Sequence, residues 1–372
     1  MQNQDLTYQI GITLVKGIGN IIAKQIIDTL GDVSLLFKEK VRLLERIPGI
    51  SKKIISEIRN PEILQRAEKE ILFIEKNKII PLFIKDKNYP ERLKDCVDAP
   101  VLLYFRGNTN LNAQKIISIV GTRNASPYGK EVTEKIIYDI STICPDMLII
   151  SGLAYGIDIC SHKASLKNSL PTVGVLAHGL DRIYPYTHRN IAVEMLENGG
   201  LLSDFLSGTT PDRQNFVKRN RIVAGMSDCT IVMESAGKGG ALLTANIADS
   251  YNKDIFAVPG KITDPYSLGC NNLIKYKKAA LITSAEDLFR EMCWNDENNQ
   301  PKPSIQRSIF IDLTEEERPI VDLLNQSENK QLNTMAIELN LPISKLSFLL
   351  FELEMKGIVR CLPGGIYQSI CH

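Results

Sequence analysis

Several features are missing from this chain, and each absence removes a class of function. The eight cysteines, at 96, 144, 160, 229, 270, 293, 361 and 371, contain no C-x-x-C pair. Thiols scattered in this way argue against a zinc site and against a disulfide framework, and they fit a reducing cytoplasm. No apolar run approaches about 18 residues, so neither a span nor a membrane partner is expected. The opening "MQNQDLTYQIG" lacks the cationic start and apolar stretch of a secretory signal. Neither sign of charge is in surplus: 44 Lys and Arg meet 43 Asp and Glu, a formal net charge of +1. That balance excludes a wholly basic nucleic-acid coat and leaves room for a local basic groove. Histidine is scarce, with four in all. One of these is the terminal residue, so nucleophile-plus-base arrangements are unconvincing. The dinucleotide fingerprint G-x-G-x-x-G is also missing where a first strand turns, because 121–126 reads G-T-R-N-A-S.

What is present is an ordinary globular composition, 44% hydrophobic and 23% charged over 372 residues. That length suggests about two or three domains, with cores large enough to need no metal or disulfide staple. Residues 1–78 are rich in Ile, Leu and Lys and carry two similar glycine turns, "VKGIGNIIAKQII" and "IPGISKKIISEI". Ile47, Ile50, Ile54, Ile55 and Ile58 mark one helix face. Two readings fit: helix-hairpin-helix/SAM-like units whose turns offer backbone N–H groups to phosphate, or a small bundle with glycine C-caps. Asn60-Pro61 interrupts the helix, which resumes to about Asn77. From 79 to 290, short apolar runs ("KIISIV", "MLII", "TVGVLA", "TIVM", "IFAV", "ALIT") alternate with amphipathic stretches. Runs apolar on both faces, alternating with helices, indicate an α/β domain with a Rossmann-like parallel sheet. Residues 291–308 read as a polar linker. Residues 309–372 read as three helices and a β-hairpin around Pro-Gly-Gly, a winged helix. Its third helix has Lys345 and Lys356 against Glu352 and Glu354, and it is rich in Leu and Phe. A major-groove reader carries Arg, Asn or Gln, so an interaction or structural role suits this module better.

Four strand ends in the middle domain run into small residues before a helix: Gly121-Thr122-Arg123, Ser151-Gly152, Gly179, and Gly237 with Gly239 and Gly240. In a parallel sheet all four lie on one edge, where bare backbone and helix N-termini make an anion pocket. Arg123 replaces the bare backbone that a pyrophosphate needs and suits a phosphate or carboxylate. "NFVKRNRIVAG" gathers Lys218, Arg219 and Arg221 immediately before residues of core character. With Phe216 beside them to stack a base, these cations suit a chain of phosphates better than one nucleotide.

"SIVGTRNASPYG", "SGLAYGID…H", "VLAHGLDRIYP", "FVKRNRIVAGMSD", "GGALLTA" and "AVPGKITDPYSLGCNNLI" resemble the DNA-processing protein A (DprA/Smf) family, in order across about 115–285. The resemblance implies a non-enzymatic, cofactor-free Rossmann-like domain that binds single-stranded DNA during natural transformation. It also implies a homodimer that loads the RecA recombinase. By the family's motifs, Arg123 matches the arginine of the Gly-Ser/Thr-Arg turn at Gly121 and Thr122. Phe216, Lys218, Arg219, Asn220 and Arg221 match Phe-x-x-Arg-Asn-Arg, and Ser151, Gly152, Gly239, Gly240 and Thr244 match the small residues of the pocket. Two departures stand out. Lys238-Gly239-Gly240-Ala241 replaces the usual Ser-Gly-Ser, removing a hydroxyl donor, and Ala177-His178 replaces Gly-Cys.

Blander readings stand beside these. Asp158 and His162 share a helix face and could bind a metal or relay a proton, but no third ligand is spaced for it; an Asp pairing a His is the simpler arrangement. Asp181 with Tyr184-Pro185 could position an anion-site loop or simply cap and turn the chain, capping being the commoner arrangement, and Arg123 could pair with an internal carboxylate such as Asp158. From another class, a nucleoside-monophosphate phosphoribohydrolase uses a related scaffold. That enzyme needs a Glu after its glycine turn, and here Glu234 precedes the turn. The apolar "NNLIKYKKAALIT", with Leu273, Ile274 and Leu281, is the expected dimer surface.

Overall fold

The computed structural model describes residues 2–45, 47, 49–294, 314, 316–325, 330–356, 358–362 and 365–369. The expected linker lies outside the described residues from 295 onward, as do Pro363 and Gly364 of the C-terminal turn. Two compact units divide after Trp294. Trp294 belongs to the first, its ring edge-on to Phe289 at 5.9 Å.

The chain opens with α1 (Gln2–Leu14), α2 (Asn20–Leu30), α3 (Ser34–Lys38), α4 (Val41–Leu44), α5 (Lys52–Ile58) and α6 (Pro61–Lys76). Its two glycine turns pack reciprocally. Gly17, at φ 94°, lies against Ile54 of α5, and Gly49, at φ 86°, lies against Ile22 of α2. Both positions need glycine for the backbone alone. All five isoleucines of the expected face are buried. Asn60 caps α6 by accepting the Glu62 N–H at 3.0 Å, with Pro61 in the first turn. Farther along α6, Glu70 accepts the backbone N–H of Ser207 at 2.8 Å, which fastens the helices to the sheet domain. One apolar core runs through both.

The sheet has nine strands: β1 (Ile80–Phe83), β2 (Leu102–Gly107), β3 (Ile116–Val120), β4 (Leu148–Ser151), β5 (Thr172–Val175), β6 (Gly199–Ser203), β7 (Cys229–Val232), β8 (Asp254–Ala257) and β9 (Ala280–Leu281). Their order is β1-β2-β6-β5-β4-β3-β7-β8-β9. From β6 to β9 every pairing is parallel, while β2 runs antiparallel to both β1 and β6. The intervening helices are α7 (Glu91–Lys94), α8 (Pro127–Ile143), α9 (Ile157–Lys167), α10 (Arg189–Glu194), α11 (Arg213–Gly225), α12 (Gly240–Ser250), α13 (Leu268–Lys275) and α14 (Ala285–Glu291). Side chains alternate across the pleat: Ile117 and Ile119 pack with Ile136, Ile137 and Ile140 of α8, while Ile116 and Val120 share the core of α11 and α12. Strand order reverses between β3 and β7, because the chain steps from β3 out to β6 and returns to β7 on the other side. Ligands of open α/β sheets sit at the carboxyl ends of strands flanking such a switch point.

The second unit contains α15 (Arg318–Asn325), α16 (Leu332–Glu338), α17 (Ile343–Met355) and a sheet β10-β12-β11, with β10 Lys330–Gln331, β11 Val359–Leu362 and β12 Ile366–Ser369. Three helices and an antiparallel hairpin make a winged helix. On α17, Phe348 and Phe351 are 61% and 60% exposed, where a groove reader would present polar and cationic groups. Among the described residues, no single helix is long and apolar enough to cross a membrane.

Candidate nucleic-acid interface

The loops that leave β3 and β7 flank the switch point and are bonded to each other. Thr122 donates its backbone N–H to the Glu234 carbonyl at 2.7 Å. Its own carbonyl accepts the Ile157 N–H at 3.2 Å, and its hydroxyl accepts the Asn124 N–H at 3.1 Å. Gly121 packs directly on Ile157. Held in this way, Arg123 projects as an exposed residue. Its guanidinium carbon lies 5.1 Å from the centre of the half-buried Phe216 ring. Tyr184, 47% exposed, brings its ring to 6.0 Å from Phe216. Arg123, Phe216 and Tyr184 form a cationic aromatic shelf at the carboxyl edge of the sheet. Tyr184 was expected to shape its loop and not to present a ring beside Phe216.

The cation cluster divides. Asp212 starts α11 by accepting the Gln214 N–H at 2.7 Å, and the helix is buried at Arg219 and again from Arg221 to its end. Lys218 stays exposed. Arg219 and Arg221, expected to meet phosphates, are instead interior, 4% and 9% exposed. The Arg219 guanidinium donates to the carbonyls of Gly152, at 2.6 Å, and of Val175. A Cβ on residue 152 would lie 2.5 Å from that guanidinium, so any other residue there would displace it. Burial lowers the Arg219 pKa to about 10, against the opposing field of Asp158, and the side chain remains a cation at neutral pH. Arg221 donates to Asp204 at 2.6 Å and to the Asp98 carbonyl. Both arginines close polar gaps between the strand ends, which explains cations at the point where the chain enters the core.

The small residues are also largely internal. The Ser151 hydroxyl donates to the Ile119 carbonyl at 2.6 Å, tying β4 to β3. Thr244 is 2% exposed and bonds the Gly240 carbonyl within α12. Asn220 reaches from Arg219 to the same Gly240 carbonyl, at 3.3 and 3.4 Å. Gly239 and Gly240, by contrast, are exposed, and no side chain caps α12. Its first N–H groups therefore have no side-chain acceptor at the positive end of the helix dipole. Lys238, the departure from the family pattern, is exposed beside them.

The remaining polar residues have structural duties. Glu234 accepts the Ser126 N–H at 2.9 Å and its hydroxyl at 2.6 Å, fastening the N-terminus of α8. Asp181 accepts the Gly208 N–H at 3.0 Å, tying the loops after β5 and β6. The simple pairing expected between Asp158 and His162 is not made. His162 Nδ1 meets the Thr172 hydroxyl at 2.7 Å, whereas Asp158 accepts the Ala154 N–H at 3.3 Å. Among the described residues, no group of three or more metal-ligating side chains converges. Burial drives the His162 pKa down to about 3 from 6.5. This contribution to stability is complete above pH 6.5. As pH falls from there toward 3, the unfolded chain takes up a proton that the folded chain refuses. The loss is up to about 1.4 kcal/mol per pH unit. Urea midpoints should therefore fall from pH 6.5 to 5 in the parent, and less steeply, by one proton, in His162→Asn. Parallel curves would show that His162 does not titrate in this way.

Two family models match. Residues 80–293 match DNA recombination-mediator protein A, and residues 309–365 match the DprA winged helix domain. DNA processing protein DprA of Bacillus subtilis is 41% identical over 56% of this chain and 70% of its own length. Protein Smf of Synechocystis is 30% identical over 99% of this chain and all of its own. Among solved structures, DNA processing protein A of Streptococcus pneumoniae superposes with a TM-score of 0.63 at 30% identity, covering 77% of this chain and 97% of that one. DNA processing protein A of Helicobacter pylori, solved for its single-stranded DNA binding mode, gives 0.53 at 28%, covering 58% and 96%. A parallel sheet whose switch point lies beside Arg123, a winged-helix unit, two matching family models and a relative that spans nearly the whole chain leave one conclusion: the chain belongs to the DprA/Smf family of DNA-processing proteins.

Proposed function

We propose that the chain binds single-stranded DNA along the carboxyl edge of its sheet and loads RecA onto that strand during natural transformation, acting as a binding protein and not as an enzyme. The observation that carries this reading is the shelf of Arg123, Phe216 and Tyr184 beside the uncapped start of α12. Aromatic faces with adjacent cations suit a flexible strand whose bases can be splayed out, and they suit every base alike. In this reading Arg123, Phe216, Lys218, Asn220, Gly239 and Gly240 touch the strand. Gly121, Thr122, Ser151, Gly152, Arg219, Arg221 and Thr244 hold the frame beneath it. No catalytic step is included, since Glu234 is already committed to the N-terminus of α8. The relative from Helicobacter pylori supports the choice of single strands. Anisotropy titrations with labelled oligo-dT and with duplex of equal length test it, and duplex binding as tight as oligo-dT binding would sink it. Recombinase loading predicts a shorter lag in RecA filament formation on oligo-dT when the chain is added. The free thiols fit a cytoplasmic setting.

The reading includes a homodimer through the β9 edge. Leu273 is not part of that surface: it is 6% exposed and packs in the core. Leu281 and Tyr276 are 49% and 65% exposed, Leu281 on the edge strand β9 and Tyr276 in the turn between α13 and that strand. Light scattering of Tyr276→Asp/Leu281→Asp should show a folded monomer; a persisting dimer would move the interface elsewhere.

A further inference from the structure

On the side of Arg123 away from β7, a cleft of 750 Å3 opens between α8 and α9. Arg123, Lys130, Glu134, Tyr155, Ile159 and Lys163 line it. That volume lies in the range of sites that enclose drug-sized ligands. Three cations face one carboxylate there, in a chain whose charges otherwise balance. None of the ion pairs among the described residues uses Arg123, Lys130 or Lys163. Cys160 lies at the floor, 7% exposed. Burial, and after it Glu134, raises its thiol to about 11, so at physiological pH no thiolate adds to the one carboxylate there. At the mouth, Tyr155 is 48% exposed and rests edge-on against His188, ring centres 4.9 Å apart. His188 is fixed in turn by its Nδ1, 2.9 Å from the Leu153 carbonyl oxygen. Tyr155 is thus a held aromatic ring with much of its surface open. Arg123 belongs to both places, lining this cleft and standing over Phe216.

We infer that a single strand lying on the Phe216 shelf continues past Arg123 into the α8–α9 cleft, where Lys130 and Lys163 hold two further phosphates and Tyr155 stacks a base. The inference rests on the single-strand reading and extends it from one shelf to a path. A mononucleotide would use either place alone. A chain of phosphates uses both, because the residue between them is a cation. Cations without partners, spaced along a groove with an aromatic ring at its mouth, are what single-strand channels present.

The test uses the full chain and an oligo-dT of about 20 nucleotides, long enough to reach across the shelf and the cleft. Log affinity is measured against log salt for the parent, for Lys130→Gln/Lys163→Gln and for Arg123→Ala. Removing one cation that neutralises a phosphate of a single strand flattens the slope by about 0.7. The double variant should therefore have a slope flatter by about 1.4 with its melting temperature unchanged. In parallel, oligo-dT carrying 5-iododeoxyuridine should photo-crosslink to Tyr155 in the parent. An unchanged slope without a Tyr155 crosslink, while Arg123→Ala still flattens the slope, overturns the path and leaves the shelf standing. A flatter slope in the Lys130/Lys163 variant with no change in Arg123→Ala also overturns it, because the strand would then avoid the residue that joins the two places. Failure of every variant to change binding would count against the shelf as well.

Discussion

Arg219→Ala should unfold in urea with a stability loss of about 3–5 kcal/mol, the range found when one member of a buried charged network is removed. The change leaves the Gly152 and Val175 carbonyls without their donor and leaves Asp158 buried without the cation whose field acts on it. Burial already raises the Asp158 pKa, so the missing counter-charge falls on a group that is costly to ionise where it is. Lys218→Ala, one residue earlier on the same helix, should alter stability by less than about 0.5 kcal/mol, because that side chain is exposed. Arg219→Lys should fall between them, since an ammonium keeps the charge without the rigid planar guanidinium whose one Nη1 reaches both carbonyls. Equal urea midpoints for Arg219→Ala and Lys218→Ala would show that the guanidinium does not brace the strand ends.

The fold was legible where burial is two-sided. β3 and β5 lie inside apolar runs expected to be strands, and β4, β7 and β8 match theirs to within one residue, because a parallel strand covered on both faces needs apolar residues at nearly every position. β9 lies inside its run as well, although both of its residues are exposed. β1, β2 and β6 were not expected, for reasons that are local. β1 contains Pro81, which a strand tolerates at an edge, and β1 is the edge. β6 begins Gly199-Gly200, a poor strand former by itself. The glycines are there because a Cβ on Gly199 would lie 1.9 Å from the Thr172 carbonyl oxygen, and one on Gly200 would press into Phe105. β2 reaches β3 with no helix between them, so the alternation that revealed the other strands is absent. Pairing partners distant in sequence decided all three.

The candidate site was legible in the elements that frame it and less so in the burial of its residues. Small residues before helices marked the carboxyl edge of the sheet, and the switch point falls among them. A cluster of cations reads the same in sequence whether it faces solvent or core. Arg219 is internal because Gly152, 67 positions away, leaves it room, and no local pattern around "NFVKRNR" announces that glycine. Arg221 is internal because Asp204 lies opposite it. Tyr155 and Tyr184 had a usable signal, since both sit in the glycine-containing loops after β4 and β5, at the carboxyl edge of the sheet. An aromatic ring in such a loop, away from any periodic apolar face, has more reason to touch a ligand than to fill the core.

Phe216→Leu should weaken oligo-dT binding by about 1–3 kcal/mol, the worth of one stacked base, and leave the salt dependence nearly unchanged. That loss is roughly fivefold to more than a hundredfold in affinity. Arg123→Ala should do something different: if, as proposed, this cation neutralises one phosphate, the slope of log affinity against log salt should flatten by about 0.7. Because the guanidinium stands 5.1 Å from the ring centre in the free protein, a base can reach Phe216 only by sharing it with Arg123 or displacing it. The two losses should not add. In a double-mutant cycle, the Arg123→Ala/Phe216→Leu variant should bind better than the sum of the single losses predicts, by at least about 0.5 kcal/mol. Mixed-sequence strands and oligo-dT should suffer alike, since neither phosphates nor ring faces encode sequence. Additive losses would mean that the pair does not act as one platform. An unchanged slope in Arg123→Ala together with parental affinity in Phe216→Leu would remove the shelf from the strand's path altogether.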